Sequence, residues 1–275
     1  MTLNNRNKTL LSITIISAVF LVAFLIGSII FLVKGNASSI PEFTRVISFN
    51  SDNFLLKNNP IASICSILVI LLFISISTHF LYISFEKTKS PELIYLIGFF
   101  IACLLQTVKI LAVFFKLWEL SSNFLILIGR IELIGRIFAP ISLLFTAMFS
   151  DLEKLQESDK NIGMAFLISL FCAGFLPINY TKIFSNFTLA CGFISYINFY
   201  TFLCAIITVI AFAISSKQRG MTFLQSPTLY FILMFLGYML ISITDNFLEL
   251  ILGTIFLAFG FFELILKIHK FYLWK

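Results

Sequence analysis

Arg130, Glu132 and Arg136 lie inside the run Phe124 to Phe149, FLILIGRIELIGRIFAPISLLFTAMF, which is otherwise apolar and long enough to cross a bilayer as a helix. A charge at that depth costs at least ~2.5 kcal/mol, so each of these groups requires a partner. Glu132 and Arg136 are an i,i+4 pair in the favoured order and share one helix face. Arg130 lies about 200° around the helix from Glu132, which predicts a partner for it on another helix. Two kinds of chemistry suit such a set. It can hold a polar or charged ligand within the membrane, or it can be an ion-pair network that fixes helix packing. Both readings stand for Arg130, Glu132 and Arg136.

Other polar residues are predicted to join them. Lys109 lies on the preceding apolar run, and Asp245 and Glu249 are one turn apart where the last one begins. Either acid is a candidate to answer Arg130 or Lys109. Lys109 and Glu249 can also snorkel to the surface, which favours a structural role for them. Tyr196 and Tyr200 are four apart on one face, and Tyr238 falls at similar depth. The three hydroxyls are placed to line one cavity, although tyrosines in such positions more commonly pack. Pro140 removes the hydrogen bond to the Arg136 carbonyl and predicts a helix kink. Gly129 and Gly135 allow close helix approach. His79 reads as a buried, satisfied histidine.

The elements that position these residues are apolar blocks. The 275 residues are 60% hydrophobic and only 12% charged, against about a quarter charged in soluble domains. The predicted class is an all-α membrane protein with eight transmembrane helices. The spans are Leu10 to Val33, Ile61 to Ser84, Leu93 to Phe115, Phe124 to Phe149, Asn161 to Leu176, a helix within Phe187 to Ser215, Leu229 to Thr244, and Phe247 to Lys267. Asp245 and Asn246 break the last two apart. Residues 1–34 form an N-terminal tail and an uncleaved anchor helix, and 35–60 an extracytoplasmic loop. Residues 61–268 form a seven-helix bundle, and 269–275 a short cytoplasmic tail. With the N-terminus inside, eleven loop or tail Lys and Arg residues fall on the inner side and five on the outer. That asymmetry predicts both termini in the cytoplasm of a cell whose inner membrane holds the protein.

Several function classes are excluded. The net charge of +6 is dispersed over short segments, with no long basic run for nucleic acid. The five cysteines lie within or beside apolar blocks without a CxxC, and read as buried free thiols. Two distant histidines, His79 and His269, and no HExxH give no metal site. No cofactor motif and no Gly-x-Ser-x-Gly occurs, so the chain reads as a non-enzyme. No inverted repeat relates its two halves, which weakens a transporter reading.

Glu132, Gly135 and Pro140, followed by an apolar stretch to Phe149, resemble the third helix of the N-terminal seven-helix sensor module of bacterial histidine kinases and diguanylate cyclases. Leu133 stands where that family has an aromatic. The resemblance covers about Ile61 to Lys267, with the charged turn FEKTKSPE after the first of the seven helices and Leu10 to Val33 as an extra span. It implies a receptor that passes a signal across or within the membrane. Only eight residues follow Lys267, so the output domain of the family is expected on a separate cytoplasmic partner. The segment Ser150 to Lys160 and the basic Lys217 to Arg219 are the candidate contacts, though the former also reads as a solvated linker. The alternatives are a small-molecule transporter and a structural subunit of a membrane complex.

Overall fold

The structure is a computed structural model that describes residues 3–33, 55, 59–86, 90, 92–115, 122–148, 158–218 and 226–273. Most of the loop 35–60, residues 87–89 of the charged turn after the second span, the segment 150–157 and residues 219–225 lie outside the described residues. Among the described ones the helices are α1 (Leu3–Val33), α2 (Pro60–Ser84), α3 (Glu92–Thr107), α4 (Ile110–Phe114), α5 (Ser122–Met148), α6 (Ser158–Phe175), α7 (Ile194–Gln218), α8 (Pro227–Ile243) and α9 (Phe247–Leu273). A two-stranded antiparallel hairpin, β1 (Ile178–Ile183) and β2 (Leu189–Cys191), joins α6 to α7. Among the described residues five helical stretches are long and apolar enough to cross a membrane, and α8 is a shorter apolar helix. The architecture is that of a multi-pass helical membrane protein.

Local sequence sets where the helices begin. Asn59 accepts from the Ile61 amide at 2.9 Å, with Pro60 in the first turn of α2. Ser226 accepts from the Thr228 amide at 3.1 Å, with Pro227 starting α8. Asn246 accepts from the Glu249 amide at 2.8 Å, so the Asn-x-x-Glu run caps α9. α8 and α9 are thus separate helices, and glycines bring them together. A Cβ at Gly237 would strike the Leu257 backbone, and one at Gly260 the Met234 backbone.

Two ends of the bundle can be distinguished. At one, Arg6 donates to the Phe85 carbonyl, Asn7 donates to the Glu86 carbonyl at 3.0 Å, and the Phe85 ring meets His269. The beginning of α1 and the last turns of α9 therefore share one end. At the other, the Asn59 amide donates to the Asp245 carbonyl at 2.7 Å. There Ser63 donates to the Ser185 and Thr244 carbonyls, which ties α2, the β-hairpin and the α8–α9 turn together.

The structure refines two of the expectations above and corrects one. The third span holds as Glu92–Phe114, with a turn at Val108 and Lys109 between α3 and α4. The Thr107 hydroxyl donates back to the Leu104 carbonyl at 2.7 Å, and the amides of Val108, Leu111 and Ala112 bond three residues back, a tightening to 3₁₀ geometry. Within Phe187 to Ser215 the sixth span starts at Ile194, and residues 187–193 hold β2 and the approach to α7. Asn179 and Asn186 each accept from the amide and hydroxyl of the threonine two residues on, the Asx turns that shape the hairpin. His79 is exposed on α2 rather than buried.

Candidate functional site

α5 divides the polar residues between its two sides. Towards the bundle interior, Gly135 lets α5 approach α3: a Cβ there would stand 2.5 Å from the Ala102 carbonyl oxygen and 3.0 Å from the Gln106 side chain. Glu132, one turn earlier on α5, then lies at the level of Gln106 and the turn that carries Lys109, because α3 and α5 run antiparallel. Lys109 is 5% exposed and Glu132 6%. Lys109 is within electrostatic reach of both Glu132 and Arg136. Among the described residues, however, the side chains of Lys109 and Glu132 form no hydrogen bond or ion pair with each other, and their contact is electrostatic only. Gln106 donates to the Tyr238 hydroxyl at 2.8 Å. Tyr238 is 3% exposed, stands edge-on to Phe99 and also feels Glu132 and Arg136.

On the other side α5 faces α6 and α7. Arg130 donates from Nη1 to the Ala173 carbonyl at 2.8 Å and the Gly174 carbonyl at 2.6 Å. These carbonyls belong to the last turn of α6, which has no intrahelical donors for them and carries the negative end of the helix dipole. Arg136 donates to Asn198 Oδ1 on α7 at 3.1 Å. The Tyr200 hydroxyl donates to the Ile137 carbonyl at 3.3 Å, next to the carbonyl that Pro140 leaves without its helical donor. α5 itself runs without interruption through Pro140. The hairpin closes this side from above, with Leu189 filling the space left by Gly129. Burial pushes the thiol of Cys191 in β2 above its usual range, while the Arg136 charge acts against that shift.

The expected pairings are redistributed. Glu132 and Arg136 form no ion pair, because Arg136 is drawn to Asn198 on the side facing α7. Arg130 does find its partner on another helix, but that partner is a pair of carbonyls rather than a carboxylate. Asp245 accepts from the Ser185 hydroxyl at 2.8 Å, and Glu249 belongs to the capping turn of α9. Both acids sit at the hairpin end of the bundle, where their bonds run to the hairpin and to the α9 cap. Glu249 Oε2 is buried without a hydrogen bond among the described residues. Tyr200 is within electrostatic reach of Tyr238, but the three tyrosines do not line the groove beside α5 together. Tyr238 is in the interior, whereas Tyr196 and Tyr200 line a groove between α5, α6 and α7. Cys172 in that groove is exposed, unlike the buried Cys103 and Cys204.

Gln106 and Asn198 are site residues that the sequence reading passed over. Each carried a signal: an uncharged amide within an apolar run, three residues from Lys109 and two from Tyr196 and Tyr200 respectively. Among the described residues no group of three His, Cys, Asp or Glu side chains is placed to hold a metal ion. The arrangement provides buried charge, amide and phenol groups that can bind a polar ligand. No protein-family model, characterised protein or solved structure matches this chain.

Proposed function

We propose that the chain is a receptor-like, non-enzymatic membrane protein whose α5 responds to an intramembrane or extracytoplasmic ligand and passes the change to a separate protein. One observation carries the reading. Lys109 and Glu132 are opposite charges on buried side chains at one level, within electrostatic reach, yet the two side chains form no ion pair with each other. Charges buried only to fix packing repay their desolvation by good mutual geometry and further hydrogen bonds. Charges held apart instead suit a site that a ligand or a helix movement completes. Two deformable points lie on the facing helices, the 3₁₀ turn at Lys109 and Pro140 in α5. A ligand that binds one arrangement better shifts the balance by its differential affinity.

The lysine and arginine asymmetry supports an inner-membrane protein with both termini cytoplasmic, and the shared end of α1 and α9 agrees with that topology. The partner would then engage the same end. Affinity purification in mild detergent with mass spectrometry tests this reading. A kinase, cyclase or adaptor recovered at stoichiometric yield is expected, and Glu132→Gln is expected to abolish the response with the protein still present in the membrane. Recovery of the protein alone removes the mechanism. Recovery only with other membrane subunits makes it a structural component.

One observation favours a transporter instead. A helix broken at a buried charge is the geometry of many transport sites, and α3–α4 breaks at Lys109. Substrate movement by the protein alone in proteoliposomes would select that reading.

A further inference from the structure

The groove beside α5 has a volume of about 510 Å³. It is lined mainly by apolar side chains, among them Ile141, Ile168, Cys172, Phe175 and Ile197, with Tyr200 at its floor. Phe171, Phe175 and Tyr196 on its outer wall are exposed. Two partly exposed guanidiniums stand at its margin. Arg130 bonds the carbonyls of Ala173 and Gly174, which lie between the lining residues Cys172 and Phe175. Arg136 precedes the lining residue Ile137 and bonds Asn198, which follows the lining residue Ile197. Among the described residues neither guanidinium meets a carboxylate. A guanidinium has five N–H donors, and among the described residues Arg130 bonds through Nη1 and Arg136 through Nη2.

Two unmatched cations beside an apolar slot define an amphiphile with an anion at one end and a hydrocarbon chain at the other. We propose that the groove seats one acyl chain of an anionic glycerophospholipid whose phosphate is held by Arg130 and Arg136. The volume is that of a site for one small ligand, enough for one chain but not two. The exposed outer wall leaves the second chain in the bilayer. The arginine fork matches phosphate oxygens in pairs, and basic pockets between membrane helices select anionic headgroups. Arg136 also acts electrostatically on Lys109 and Tyr238, so a phosphate on it changes the field at the interior cluster. The proposal names a ligand class for the receptor reading and rests on that reading for its meaning, while the binding itself is measured without any partner protein.

The test uses the purified, delipidated full chain in detergent, offered equal amounts of palmitoyl-oleoyl phosphatidylglycerol and phosphatidylcholine and read by native mass spectrometry. The wild type is expected to retain phosphatidylglycerol over phosphatidylcholine by about tenfold or more. Arg136→Gln, alone or with Arg130→Gln, is expected to bring the ratio close to one. Ile168→Trp, on the exposed wall, is expected to fill the slot and lower the retention of both lipids. If Arg130→Gln disturbs folding by uncapping α6, Arg136→Gln and Ile168→Trp still decide the matter. Equal retention of the two lipids by the wild type, or an unchanged preference in Arg136→Gln, overturns the proposal. A failed search for a protein partner bears only on the receptor reading.

Discussion

Gln106 on α3 donates to the Tyr238 hydroxyl on α8 at 2.8 Å, joining two helices across the bundle interior. Neither side chain has water to turn to, since both are almost fully buried. Tyr238→Phe removes the acceptor and leaves the amide unpaired. Hydrogen bonds between membrane helices are worth about 0.6 kcal/mol on average and up to about 1.7, and this one belongs at the upper end because no solvent replaces it. A loss of about 1.5 kcal/mol in reversible unfolding in detergent is expected. Gln106→Leu with Tyr238→Phe should recover part of it, because both polar groups then leave together.

The α8–α9 hairpin gives a sharper contrast. A Cβ at Gly237 meets the nitrogen and Cα of Leu257, and backbone on both sides gives it nowhere to move. Gly237→Ala should force the helices apart and cost about 1–3 kcal/mol. Gly163 on α6 has nothing within 4 Å of the same position. Gly163→Ala should therefore be neutral or stabilise by up to about 1 kcal/mol through helix propensity. Thermal unfolding of the two variants side by side is the check, and equal losses would mean that α8 and α9 do not pack through these glycines.

At the hairpin end, Asn246 supplies the cap of α9 and is itself almost fully buried. Asn246→Ala should cost about 1 kcal/mol, within the range of about 0.5–2 measured for lost caps. Hydrogen exchange should show faster exchange of the first α9 amides, with the interior of α9 unchanged. Uniform loss of protection along α9 would mean that the turn anchors the whole helix rather than its first turn.

The helical plan was legible because an apolar block near 20 residues long is a local property of composition, and Pro60 and Pro227 mark two helix starts directly. The break at Lys109 was hidden, since Val108 and Lys109 include neither glycine nor proline and the turn arises from Thr107 bonding to its own helix. The β-hairpin was hidden for a related reason: Phe187 to Cys191 is as apolar as the helix that follows. Partners were the least legible. The carbonyls that hold Arg130 exist in every sequence and bind a guanidinium only where a helix happens to end, as α6 does at Gly174 and Phe175. Depth along a helix placed Tyr238 at the level of Tyr200, but only packing decides that one faces the interior and the other the groove.

Lys109 and Glu132 discriminate between a site and a strut. A formed buried ion pair loses about 3–5 kcal/mol when one member is removed, because the other is left unanswered. Here the two charges feel each other without bonding, so removing one breaks no contact already made. In a double-mutant cycle of Glu132→Gln, Lys109→Gln and both together, the coupling energy should fall near 0.5 kcal/mol, the low end for neighbouring residues. Glu132→Gln should remain in the membrane at wild-type abundance. A coupling energy of several kcal/mol, with both single variants lost from the membrane, would instead make this pair a structural element of the bundle and leave the receptor reading without its switch.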